Sequence, residues 1–169
     1  MIPIVAVVGT SGCGKTTLVC CLVEELTARG YCLATLKHHP GDFDIDHEGK
    51  DSFRHREAGS RQAMIASENR LAIVRRLDRE MTIEEIAATL PQDIDLLLVE
   101  GYKRAAVPKI EVWRQAQADP TLVCSGDPHW IALVTDFPHD VEVPVFDLNQ
   151  PEQVADFLER RFLTNRICS

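Results

Sequence analysis

Lys15 and Thr16 close the run Gly9-Thr10-Ser11-Gly12-Cys13-Gly14-Lys15-Thr16, a full G-x-x-x-x-G-K-T phosphate-binding loop. The spacing carries the chemistry. Glycines at 9, 12 and 14 let the backbone wrap closely around a phosphate chain. The loop's N–H groups then turn inward, and the start of the next helix adds partial positive charge. Lys15 would bring a full charge to the β- and γ-phosphates of a nucleoside triphosphate, and the Thr16 hydroxyl would reach Mg²⁺.

Such a loop needs a carboxylate at the end of a neighbouring buried strand, to hold Mg²⁺ through its waters. Asp95-Leu96-Leu97-Leu98-Val99-Glu100-Gly101 supplies one. Glu100 takes the strand-end position, and Gly101 lets the chain turn away. Asp95 stands at the strand's entrance, on the opposite edge of a sheet and far from a nucleotide. Lys15 and Glu100 are therefore the candidate catalytic residues, and Thr16 and Glu100 the candidate metal ligands.

Three further groups offer chemistry with a plainer alternative beside it. Lys37-His38-His39 precedes Asp42, Asp44, Asp46, Gly49, Lys50, Asp51 and Ser52. Lys37 could meet phosphate and the acids could hold Mg²⁺, because the ligand crevice lies at this end of the strands. The histidines match no standard transition-metal spacing; the alternative is a solvated loop. Asp136, after Thr135, could accept from the N1–H and exocyclic amine of guanine, or could cap a turn. Arg54, Arg56, Arg61, Arg70, Arg75, Arg76 and Arg79 make the intervening segment basic. They suit an anionic second ligand, or the ordinary polar face of a helix and hairpin.

The elements that must position these groups follow from periodicity. Ile4–Val8 is an apolar strand leading into the loop. A helix from Lys15 to Arg29 buries Leu18, Cys21, Leu22 and Leu26, and Gly30 ends it. Cys32–Leu36 completes a right-handed β-α-β unit. A short helix is expected around Asp51–Ala58, and a hairpin over Ala63–Ser67 and Leu71–Val74. Thr82 and Glu85 fit a capping box opening a helix through Leu90. Ile94–Val99 reads as a central parallel strand. Lys109–Arg114 has alternating character, while Trp130–Val134 and Val143–Phe146 read as core strands. A final helix covers Pro151–Phe162, with Val154, Phe157, Leu158 and Phe162 inward. The expected fold is α/β: one phosphate-loop domain over residues 1–169, with a mainly parallel sheet flanked by helices and an added β-hairpin.

Bulk properties narrow the partners. A formal charge of −8 on 169 residues argues against general affinity for nucleic acid or anionic membrane. The six cysteines, at 13, 20, 21, 32, 124 and 168, form no C-x-x-C pair. That pattern suits a reduced, cytoplasmic chain. No signal peptide and no bilayer-spanning apolar run is expected. The hairpin and the Lys109–Arg114 strand exceed a minimal phosphate-loop core. Their apolar residues (Met64, Ile65, Leu71, Ile73, Ile110, Val112, Trp113) suggest a homodimer interface over about residues 60–80 and 105–125.

These residues together resemble the MobB family of molybdopterin-guanine dinucleotide biosynthesis over nearly the whole chain. The shared pattern includes the loop at 9–17, Leu36-Lys37-His38 and Asp44-x-Asp46-x-x-Gly49-Lys50-Asp51-Ser52. It continues through Arg56-x-Ala58-Gly59, Asp95 to Lys103, Lys109-Ile110 and Thr135-Asp136. The resemblance implies a homodimeric, weakly hydrolysing GTP-binding adapter that works with the guanylyltransferase MobA, with molybdopterin as a further candidate ligand. It implies that Gly9 to Thr17, Thr17 included, bind the nucleotide phosphates, and that Asp46 joins Glu100 near Mg²⁺. The rival reading is a small-molecule phosphate-loop kinase using ATP or GTP.

Overall fold

The computed structural model describes residues 2–41, 43, 45–116 and 121–164. Asp42, Asp44, Cys168 and residues 117–120 of the expected interface lie outside them. In chain order the elements are β1 (Ile4–Val8), α1 (Lys15–Ala28), β2 (Leu33–Lys37), α2 (Asp51–Glu57), β3 (Gln62–Ala66), β4 (Leu71–Arg75), α3 (Ile83–Ala87), β5 (Leu96–Glu100), β6 (Lys109–Trp113), β7 (Trp130–Thr135), β8 (Val145–Asp147) and α4 (Pro151–Leu158). A π-helical turn, Glu159–Leu163, extends α4. The chain forms two compact units: residues up to 38 with those from 87 on, and residues 39–86.

The first unit is a six-stranded sheet in the order β2-β5-β1-β6-β7-β8. Every neighbouring pair in it is parallel, so the expected α/β phosphate-loop fold is present. Parallel strands must bury both faces, and the four central ones, β5, β1, β6 and β7, do. Val5, Val7, Leu98, Ile110, Val112 and Val134 pack with Leu18, Leu22 and Leu26 of α1 and Val154 and Leu158 of α4. On the opposite face Ala6, Val8, Val99 and Leu133 are likewise inaccessible to solvent. Arg29, capping α1, reaches Asp156 at 2.8 Å and Glu159 at 2.6 Å, which ties α1 to α4.

β6 departs from expectation. Its alternating residues were expected to need a second subunit to cover them, yet all five are buried between β1 and β7. Buried charges need partners. Lys109 Nζ lies 2.7 Å from Asp127, and Glu111 accepts the Val123 and Cys124 N–H groups at 2.6 and 3.0 Å. The hydrogen bond from Lys109 holds the Asp127 carboxyl down at about 2, while desolvation raises that of Glu111. Val112 and Trp113 thus belong to this chain's own core, and the interface expected on the Lys109–Arg114 strand is corrected accordingly.

Four smaller corrections concern the extents and faces of elements. Val143–Phe146 gives way to β8, a three-residue edge strand. The helix expected through Leu90 is limited to α3, although its capping box forms: Thr82 N–H to Glu85 Oε2 at 2.9 Å and Glu85 N–H to Thr82 Oγ1 at 3.2 Å. On α4 the buried positions are Val154, Ala155 and Leu158, while Phe157 and Phe162 are only partly covered. In α1, Val19 is buried where Cys21 was expected.

The second unit contains α2 and the β3–β4 hairpin, which forms as expected with Met64 opposite Ile73 and Ala66 opposite Leu71. Alternation separates its faces. Ala63, Ile65, Ala72 and Val74 line a small cavity with Ile45, Asp46 and Ser52. Met64, Leu71 and Ile73 face the other way and are at least half exposed.

Candidate functional site

The C-terminal ends of β1, β2, β5, β6 and β7 come to one edge of the sheet, and the phosphate loop rises from β1 there. Gly9 begins it with φ of 144°, pressed against β6: a Cβ at this position would lie 2.4 Å from the Val112 carbonyl oxygen and 2.7 Å from Cys13 Sγ. Cys13 is fully buried beneath the loop, so only its backbone can face a ligand. The loop therefore stands on two buttresses, the β6 backbone and its own cysteine.

Lys15 and Thr16 open α1. The Lys15 ammonium donates to the Thr10 carbonyl at 2.6 Å and lies 3.8 Å from Cys13 Sγ. The Thr16 hydroxyl donates to Glu100 Oε2 at 2.8 Å, across 84 residues of sequence. Register explains the meeting: β1 and β5 are neighbours, and Val7 stands opposite Glu100. Lys37, opposite Glu100 on the other side, places Nζ 3.5 Å from Oε1. One carboxylate thus joins three elements at the edge where the loop begins. The hydroxyl and carboxylate are hard oxygen donors of the kind Mg²⁺ prefers beside phosphate and water. Among the described residues no three His, Cys, Asp or Glu side chains gather into a metal cage.

The other expected residues fall as follows. Asp95 is at the far end of β5, where Oδ2 accepts the Cys32 N–H at 2.9 Å. Thr17 is exposed on α1. Asp136 is exposed after β7, and its Oδ1 accepts the Gln115 N–H at 2.8 Å, the turn-capping role weighed above. Asp46 lies in the second unit, where Ser52 Oγ donates to it at 2.8 Å and Arg56 Nε at 3.3 Å. Within that unit Arg61 pairs with Asp78, and Arg79 with Glu85 at 2.5 Å. Much of the basic run is therefore matched locally.

One feature has only a faint sequence signal. Tyr102 has φ of 53°, the single non-glycine residue with positive φ among those described. It follows Gly101, where a Cβ would come within 3.1 Å of His38 Cβ. The Tyr102 ring packs against His38, tilted by 40°, with centroids 4.4 Å apart. Strain of this kind costs about 1–3 kcal/mol and gathers at functional sites. Here it lies two residues beyond Glu100. The Gly101-Tyr102 pair after a strand end was its only mark in the sequence.

A family model, molybdopterin guanine dinucleotide synthesis protein B (MobB), matches residues 4–136. The chain belongs to the MobB family. Among the relatives of this MobB-family chain is the molybdopterin-guanine dinucleotide biosynthesis adapter protein of Haemophilus influenzae. It is 36% identical over 159 residues, covering 94% of this chain and 88% of that protein. The Escherichia coli protein of the same name is 36% identical over 161 residues, covering 94% and 92%. In structure the chain resembles Bacillus subtilis MobB, with a TM-score of 0.75 at 26% identity over 95% of this chain and 98% of that one. No helix among the described residues of the MobB-family chain is long and apolar enough to cross a membrane.

Proposed function

We propose that this MobB-family chain is a GTP-binding adapter in molybdopterin guanine dinucleotide biosynthesis, acting with the guanylyltransferase MobA and hydrolysing GTP slowly. The observation that carries the reading is the 2.8 Å Thr16–Glu100 hydrogen bond at the head of a complete phosphate loop. When bound, Mg²⁺ would neutralise charge on the β- and γ-phosphates. Thr16 would bind it directly and Glu100 would orient its waters. Lys15 would leave the Thr10 carbonyl for the phosphates. Glu100 has both oxygens engaged, by Thr16 and Lys37. It therefore suits metal positioning better than activation of water, and slow turnover is expected. The kinase reading loses support because much of the basic segment is paired within its own unit.

Reconstitution tests the role. MobA, molybdopterin and GTP should yield more molybdopterin guanine dinucleotide with this protein than without it, and Lys15→Ala should remove the gain. Equal yields from the parent and from its omission would refute the adapter reading. A phosphorylated small molecule appearing in step with nucleotide loss would favour the kinase.

Three narrower results are expected. Glu100→Gln should weaken Mg²⁺-dependent GTP binding by about tenfold. Asp95→Asn, which keeps an acceptor for the Cys32 N–H, should change it little. A Mg²⁺ titration of both variants that ranks them the other way puts the metal carboxylate elsewhere. Asp136→Asn should erode GTP preference over ATP by roughly tenfold or more, and should let xanthosine triphosphate gain on GTP. Without that gain, Asp136 serves only the turn at Gln115. The protein should also be a homodimer through the Met64–Leu71–Ile73 face of the hairpin. A bare two-stranded ribbon is marginal in water, and an apolar edge invites pairing. Ile73→Lys, at an exposed position, should leave the fold intact and halve the mass seen by light scattering. A dimer that survives this change forms through another surface.

A further inference from the structure

Arg114 follows the last residue of β6, and its guanidinium lies over the phosphate loop. A Cβ built on Gly14 would be 3.6 Å from Nη2 and 3.7 Å from Nε. The residue is half-buried, and Nε is shut off from solvent with no hydrogen-bond partner among the described residues. Among the described residues the side chain has no ion pair. Asp136, just after the neighbouring strand, directs Oδ1 to the Gln115 N–H instead. A half-buried cation without an anion is costly. This one also lies beside two other positive sources, the start of α1 and Lys15. Three such groups meeting at one loop repel each other unless an anion joins them.

We infer that Arg114 is a second cation of the phosphate site and grips the part of the phosphate chain nearest the nucleoside. The inference rests on the nucleotide-binding reading above. Strand order gives the direction. β1 has β5 on one side and β6 on the other. Glu100 and Thr16 mark the β5 side, where metal and γ-phosphate belong. Arg114 comes from the β6 side, so a triphosphate laid across the loop presents its α-phosphate there. A guanidinium fork suits two phosphate oxygens at once, which a lysine cannot match. Because GDP retains that end of the chain, Arg114 would bind GDP and GTP alike.

Calorimetry with GTP and GDP on the parent, Arg114→Gln, Arg114→Lys and Lys15→Ala, together with nucleotide-free thermal unfolding, tests this. Arg114→Gln should raise both dissociation constants by a common factor of about tenfold or more, with Arg114→Lys between it and the parent. Its nucleotide-free unfolding temperature should not fall, since an unpaired cation has been removed. Unchanged affinities overturn the inference, as does a loss confined to GTP, which would place Arg114 at the γ-phosphate. A lower unfolding temperature with intact affinity would make Arg114 structural. If the parent binds neither nucleotide, the nucleotide-binding reading falls and Arg114 with it. If the parent binds and only Lys15→Ala loses affinity, the Arg114 assignment alone fails.

Discussion

Lys15→Ala should weaken GTP binding by about 2–4 kcal/mol, or roughly 30- to 1,000-fold, without unfolding the protein. Removing the ammonium leaves a multiply charged phosphate chain in a site whose remaining donors are mostly backbone N–H groups. The fold should tolerate the change. The Lys15 head contacts the Thr10 carbonyl and the Cys13 sulfur within the loop, and it belongs to no core cluster. Alanine also suits the first turn of a helix. Calorimetry should find the affinity lost while the circular dichroism spectrum and the unfolding midpoint match the parent. Parental affinity in the variant would mean that this loop does not hold the phosphates.

Gly9→Ala is expected to have the largest effect on stability, about 2–4 kcal/mol. The new methyl would meet the Val112 carbonyl oxygen at 2.4 Å and the Cys13 sulfur at 2.7 Å, in a backbone conformation that L residues rarely adopt. Neither neighbour can yield easily. Val112 lies in a strand paired on both sides, and Cys13 is fully buried. Gly12→Ala is the control. Its φ is also positive, at 77°, but a Cβ there meets nothing within 4 Å. Denaturant unfolding should rank Gly9→Ala well below Gly12→Ala. Equal midpoints would show that the contact with β6 does not support the loop.

What was legible in the sequence was what is local. The loop, the Thr82–Glu85 capping box and the hairpin each depend on residues a few positions apart, and each is where spacing placed it. Glu100 was legible because a buried apolar run ending in Glu-Gly has few other uses beside such a loop. Strand order is not local, and the misreading of β6 follows from that. Lys109 and Glu111 look like solvent-facing positions until β6 is known to lie between β1 and β7, with Asp127 and the Val123 and Cys124 N–H groups waiting for them. The same placement hid Arg114, one arginine among many in the chain, until its lack of an acidic partner among the described residues set it apart. Cys13 stands at an unspecified position of the loop motif. Its burial against Gly9 depends on how closely β6 approaches, which no spacing rule records.

The central claim is that the loop at Gly9–Thr17 binds GTP with Mg²⁺ held between Thr16 and Glu100. It is tested most directly by calorimetric titration of the parent with GTP and with ATP, each with and without Mg²⁺. The account predicts saturable one-to-one binding per chain, tighter for GTP than for ATP and strengthened by Mg²⁺. No heat of binding for either nucleotide at any Mg²⁺ concentration would contradict it.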